Sequence, residues 1–149
     1  MGKRDKVVVK ITEASTQDME KLEDMYKKLY NGDEKQKFYN SKISITEFKS
    51  GQIILVAKDR DKIVGYCWLI WYNHIKEKGV GYLEELYVEE DMRNQGIGKD
   101  LIKNVISLLK DMEIRTIYLA VGKHMGKAQE FYKYNGFTQS EEQWFEKKL

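Results

Sequence analysis

The chain has no proline, one cysteine and two histidines among its 149 residues. Without proline, helix ends must rest on capping side chains and glycines. A single thiol excludes an internal disulfide, and Cys67 lies in the apolar run from Gly65 to Ile70, where a buried structural thiol suited to a reducing compartment is expected. His74, in a polar loop, and His124, ahead of the last helix, stand at no ligand spacing; both read as solvated and no metal is expected. There is no transmembrane-length apolar stretch, and the charged start Met1 to Asp5 is not followed by a signal-peptide core, so the expectation is a cytoplasmic protein without a membrane partner. Lysine and arginine exceed aspartate and glutamate by 26 − 24 = 2, and neither sign gathers into a block, so nucleic acid is not expected as a partner.

What is present is a globular balance. Apolar residues at 42% and aromatics at 12% are too plentiful for a disordered chain, and the length suits one domain spanning 1–149 with one site. Val7 to Ile11 reads as a β-branched strand. Ser15-Thr16-Gln17-Asp18 offers acceptors for a helix start, followed by Met19, Leu22, Met25, Tyr26 and Leu29 at helical spacing. Residues 33 to 50 are polar, with a capping box at Ser44 to Glu47 and a stop at Gly51, which predicts one or two short helices. Gln52 to Lys58 and Ile63 to Tyr72 are apolar strands joined by the polar turn Asp59-Arg60-Asp61-Lys62, an antiparallel pair. Tyr66, Trp68, Trp71 and Tyr72 on the second of these suit a strand buried on both faces, or a homodimer contact, better than base stacking.

After the loop Asn73 to Gly79, Gly81 to Val88 reads as a strand. Gly96-Ile97-Gly98 then opens a helix whose stripe is Ile97, Leu101, Val105, Leu108 and Met112. Arg115 to Val121 is a further strand, and Ala128, Phe131, Tyr132 and Asn135 mark a last helix stopped by Gly136. Phe137-Thr138 and Gln143 to Glu146 are predicted to close the chain as strands. The sum is an α/β chain with a mixed sheet and flanking helices.

The segment Arg93-Asn94-Gln95-Gly96-Ile97-Gly98-Lys99 sits between a strand and a helix. Backbone N–H groups at a helix start have no internal partners and carry partial positive charge, so they suit phosphate oxygens, and Arg93 and Lys99 add charge. A dinucleotide fingerprint is a poor match because Leu101 stands where its third glycine belongs, and the Gly-Lys-Ser/Thr of a phosphate loop is absent. A plain glycine turn is the bland alternative.

Arg/Gln-x-x-Gly-x-Gly after a strand, then helix, strand and Phe131-Tyr132-Lys133-Tyr134-Asn135-Gly136-Phe137, resembles the GNAT superfamily of N-acetyltransferases over roughly residues 7 to 149. The resemblance implies the GNAT acyl-CoA N-acyltransferase fold: a mostly antiparallel central sheet with two splayed strands that admit the pantetheine arm. It implies acetyl-CoA as cosubstrate, held by Arg93, Asn94, Gln95, Gly96, Ile97, Gly98 and Lys99, with backbone N–H groups of Leu86, Tyr87 and Val88 near the thioester oxygen. Tyr132 is implied to serve the departing thiol. A lysine-like amine has a pKa near 10.4, so a base is useful at neutral pH, and Glu84 and Glu85 are the candidates. Strict alternation puts Glu84 with Tyr82, Leu86 and Val88, and Glu85 with Leu83 and Tyr87; Glu84 is preferred, and a bulge would shift the count.

One departure is Met125, where similar enzymes often carry asparagine. Tyr82-Leu83-Glu84-Glu85 and Ser140-Glu141-Glu142-Gln143-Trp144 are similar to spermidine/spermine N-acetyltransferases, and Glu84, Glu85, Glu89, Glu90 and Asp91 would supply local acidity for a polyamine. The expected partner is a small-molecule or peptide amine. The alternatives are a protein N-terminal or lysine acetyltransferase and a non-catalytic acyl-CoA sensor.

Overall fold

The computed structural model describes residues 6–29, 51–72 and 80–149. The helices expected in 33 to 50, the capping box at Ser44 to Glu47, the loop Asn73 to Gly79 and His74 lie outside these residues. In chain order the elements are β1 (Lys10–Glu13), α1 (Met19–Leu29), β2 (Gln52–Asp59), β3 (Lys62–Tyr72), β4 (Val80–Val88), α2 (Ile97–Asp111), β5 (Thr116–Tyr118) and α3 (Gly126–Tyr134). The described strands form one sheet of order β1-β2-β3-β4-β5, antiparallel except for the last pair, which is parallel. A parallel neighbour requires a crossover, and α2 provides it.

Among the described residues α1 packs on one face of the sheet and α2, with α3 beside it, on the other. Ile54, Val56, Tyr66 and Tyr87 pack with Leu22 and Met25 of α1. Leu55, Ala57, Cys67 and Leu69 pack with Ile97, Leu101, Ile102, Val105 and Leu109 of α2. The alternation along β2 and β3 follows from the two-residue repeat of a strand buried on both sides. Leu108 and Met112, expected on the buried stripe of α2, are only partly buried, and Ile102 and Leu109 take the centre. The turn between β2 and β3 is tight, with Arg60 at φ 56°.

Helix ends are made without proline, as the composition requires. Asp18 accepts from the Ser15 backbone N–H at 2.7 Å and from its hydroxyl at 2.9 Å, opening the turn into α1. At the far end of α2, Glu113 takes φ 60°, its N–H reaches Lys110 O, and the N–H of buried Ile114 reaches Leu109 O. That is the paired hydrogen-bond closure of a Schellman motif.

Four strand expectations are corrected. The first strand is Lys10–Glu13 rather than 7 to 11, and the fifth keeps only Thr116–Tyr118 of the expected 115 to 121. Phe137-Thr138 and Gln143 to Glu146 form no strand, because no described edge pairs with them; Trp144 is 75% exposed and Phe145 91%.

Candidate active site

The ladder between β4 and β5 is short. Val80, Gly81 and Tyr82 pair with Thr116, Ile117 and Tyr118, and from Leu83 to Val88 that edge of β4 has no strand beside it among the described residues. Which backbone groups face the opening follows from hydrogen-bond alternation. Trp71 N–H donates to Gly51 O and Glu89 N–H to Val64 O. In an antiparallel ladder successive residues turn their N–H and C=O to opposite sides. Tyr66 and Trp68 therefore face β4, and their register partners Tyr87 and Glu85 face β3. Leu86 and Val88 turn their N–H and C=O to the open edge, and Arg93 Nε accordingly reaches Val88 O at 2.9 Å. Tyr87, expected with them, points its backbone away and its ring onto the α1 face, where it meets the Tyr66 ring at 6.2 Å.

A bulge decides the two glutamates. Trp68 pairs with Glu85 and Leu69 with Leu83, so Glu84 is the extra residue. Leu83 shares the α2 face with Leu86 and Val88, while Glu85 keeps company with Tyr87 on the α1 side. The strict alternation that grouped Glu85 with Leu83 is thus broken one residue earlier. Glu84 is exposed, two residues past Tyr82, the last to pair with β5. Glu85 is buried and accepts a hydrogen bond from Tyr66 Oη at 2.8 Å.

Beyond β4, a 3₁₀ turn at Glu90–Met92 leads into the glycine loop. Asn94 and Gly96 take φ 61° and 85°, left-handed values that turn the chain into α2. Gly96 caps α2 with no side-chain hydrogen bond, so the first N–H groups of the helix lack a capping side chain. A Cβ at Gly96 would meet nothing within 4 Å, whereas one at Gly98 would lie 3.1 Å from Phe131 Cζ and 3.8 Å from Leu86 Cδ2. The two glycines therefore differ in purpose. Gly96 serves backbone shape beside open space; Gly98 lets α2 seat against α3 and β4. Arg93, Asn94 and Lys99 are exposed and Gln95 is partly so, while the Ile97 side chain is core. Arg93 also lies over the Tyr87 ring at 5.6 Å.

Tyr132 is placed by the helix end that follows it. Gly136 takes φ 88°, Gly136 N–H reaches Lys133 O, and Phe137 N–H reaches Tyr132 O at 3.0 Å. This Schellman closure brings Phe137 against the Tyr132 ring at 5.6 Å, and Phe131 meets the ring edge-on at 5.2 Å. The spacing Tyr-x-x-x-Gly-Phe is thus the sequence of a helix stop that fixes the tyrosine. Burial, with the nearby Cys67 thiol adding to it, pushes the phenol up to about 12. Cys67 itself is buried and likewise pushed up to about 12 by burial. Its register partner is Leu86, and both pack in the cluster that holds Tyr132, so Tyr132 lies on the α2 face of the sheet. The phenol oxygen makes no hydrogen bond among the described residues and is not sealed from solvent.

Sequence reasoning missed the network around Glu89. This buried carboxylate receives Lys21 at 3.0 Å, Lys28 at 3.2 Å and Tyr87 Oη at 3.2 Å, tying α1 to the end of β4. Burial alone would raise its pKa, but the two lysines hold it below the usual carboxylate range. Its charge, and that of Glu85, are therefore engaged within the fold; the open acidity expected of five carboxylates reduces to Glu84, Glu90 and Asp91. Met125 is 44% exposed at the start of α3, and Gln129 Nε2 secures that turn through Gly122 O at 2.9 Å. His124 is exposed, and no helix among the described residues is long and apolar enough to cross a membrane.

Residues 19–137 match the model of the acetyltransferase (GNAT) family. The chain is 30% identical over 142 residues to an uncharacterised N-acetyltransferase of Methanocaldococcus jannaschii, covering 88% of this chain and 61% of that protein. It is 36% identical over 72 residues to thialysine N-epsilon-acetyltransferase of Bos taurus, covering 48% of this chain and 42% of that one. The chain thus spans about three fifths or less of the length of these two relatives. Among solved structures, an aminoglycoside N-acetyltransferase with CoA bound superposes with TM-score 0.80 at 17% identity, 95% of each chain being covered. An aminoglycoside acetyltransferase from an uncultured soil metagenomic sample superposes with TM-score 0.78 at 19% identity, over 95% of this chain and 96% of that one. With its mixed sheet, opened β4 edge and matched family model, the chain belongs to the acetyltransferase (GNAT) family.

Proposed function

We propose that this chain transfers an acetyl group from acetyl-CoA to a primary amine by direct attack, with a small amine as the favoured acceptor. The observation that carries this reading is the open edge of β4, which runs from the exposed bulge residue Glu84 past the outward N–H groups of Leu86 and Val88. The loop from Arg93 to Lys99 and the N-terminus of α2, which has no side-chain cap, follow directly. Open space at the Gly96 Cβ position suits a close pyrophosphate, and exposed Arg93 and Lys99 suit its charge. When bound, acetyl-CoA supplies the thioester that the amine attacks.

The residues of this chain then divide the work. Glu84 takes the proton of the incoming ammonium, directly or through a water; neutralising a lysine-like amine at pH 7 costs about 4–5 kcal/mol. The N–H groups of Leu86 and Val88 are donors for a developing oxyanion. Tyr132, with a phenol near 12, stays protonated and donates a hydrogen bond to the departing sulfur. Full proton transfer to a thiolate of pKa about 8.5 would be uphill by roughly 5 kcal/mol, so hydrogen bonding is its role; the coenzyme leaves as the thiolate and the second proton of the attacking nitrogen passes to solvent water. Glu85 is held by Tyr66 and supports the strand.

A small monoamine or amino-acid-like acceptor is favoured over a polycation because Glu85 and Glu89 are engaged inside the fold. The bovine relative, named for a small amine substrate, fits the same preference. Tyr132→Phe tests the assignment: kcat should fall by roughly 10²-fold while coenzyme affinity measured by calorimetry stays within about twofold. Unchanged turnover removes Tyr132 from the mechanism.

A further inference from the structure

Arg93 opens the glycine loop, yet its side chain turns back along the chain. Nε donates to Val88 O at 2.9 Å, and the guanidinium carbon lies 5.6 Å from the centre of the Tyr87 ring, within reach of a cation–π contact. Both partners belong to the end of β4, so the side chain closes the 3₁₀ turn Glu90–Met92 from one side while Met92 packs against the α2-face core. Asn94 and Gly96, whose left-handed φ values turn the loop into α2, follow at once. The ring that receives Arg93 is itself fixed. Tyr87 is 6% exposed, on the α1 face, and its hydroxyl donates to Glu89 at 3.2 Å. Glu89 is held by Lys21 at 3.0 Å and Lys28 at 3.2 Å, and its backbone N–H donates to Val64 O at 2.9 Å. The two lysines also offset a carboxylate that would otherwise stand just ahead of an anion-binding loop and repel phosphate. A free surface arginine samples many rotamers; a carbonyl and an anchored ring restrict this one to few.

We propose that Tyr87 is a positioning residue for coenzyme binding: its ring seats Arg93 on the end of β4, and Arg93 so seated holds the loop from Asn94 to Lys99 in the shape that receives the pyrophosphate of acetyl-CoA. This role rests on the function proposed above only for the identity of the ligand. Tyr87 does not touch that ligand. Its ring is buried on the α1 face and its backbone pairs with β3, whereas Leu86 and Val88 face the open edge and the anion site lies at the start of α2. Its influence therefore passes through Arg93. The charge that Arg93 lends the loop is a separable contribution, because lysine keeps that charge but has neither the Nε–H nor the flat guanidinium that make the two contacts.

Calorimetric titration of the full chain with coenzyme A, carried through a double-mutant cycle, tests this role. Tyr87→Leu and Arg93→Lys should each weaken binding about tenfold, and the two together should be no more than about twofold weaker than either alone. Tyr87→Phe, which keeps the ring, should stay within about threefold of the parent. Thermal melting shows which variants are folded, and Arg93→Lys, at an exposed position, leaves the core intact. Losses that multiply to about a hundredfold in the double variant overturn the proposal, as does parental affinity in either single variant. A chain that shows the expected cycle but acetylates no amine contradicts the proposed reaction and leaves this role standing; a chain that binds no coenzyme A overturns both.

Discussion

At the scale of the residue, one extra amino acid in β4 separates two identical side chains. Glu84 stands exposed on the bulge where the strands part, and Glu85 is turned into the sheet against Tyr66. Glu84→Gln keeps the shape and removes the proposed base. It should lower kcat/KM by roughly 10²-fold at neutral pH, and less at alkaline pH where free amine is plentiful, a convergence that steady-state rates across pH would record. Glu85→Gln should instead act mainly on the melting temperature, with the alkaline convergence absent. The sequence named both glutamates as candidates and preferred Glu84; the position of the bulge that leaves Glu84 exposed was not legible, because alternation has no local signal for one.

At the scale of the element, the proposed site is made by helix ends and by a strand that has no neighbour on one edge past Tyr82 among the described residues. Gly96 at the start of α2 and Gly136 past the end of α3 were legible as glycines at helix boundaries, and the resemblance to the family rested on them. The separate tasks of Gly96 and Gly98 were not legible, since they depend on what a side chain would touch. Gly98→Val would press on Phe131, already 3.1 Å from an added Cβ, and should cost about 1–3 kcal/mol in denaturant unfolding. Gly96→Ala meets no neighbour, costs about 1 kcal/mol through its left-handed backbone, and should weaken coenzyme binding about tenfold in calorimetry. The C-terminal strands were misread for an equally physical reason: residues 143 to 146 have strand composition, but a strand needs an edge to pair with, and composition does not say whether one is there.

At the scale of the whole molecule, α1 and β4 are joined through Glu89, whose carboxylate gathers Lys21, Lys28 and the Tyr87 hydroxyl. Its pKa is depressed in the folded state, so its contribution is present above the unfolded value of about 4.3 and is lost as pH falls through the lower folded value. Glu89→Gln should therefore melt lower than the parent at pH 7, on the order of 3 °C, and the gap should close as pH drops below about 4. The central claim is acetyl transfer along the open β4 edge. Release of free thiol from acetyl-CoA, followed across small primary amines, polyamines, aminoglycosides and peptides with free N-termini, tests it most directly. The account predicts thiol release dependent on a small primary amine and suppressed in Tyr132→Phe and Glu84→Gln; no release with any amine, from protein that binds the coenzyme or from protein that does not, would contradict it.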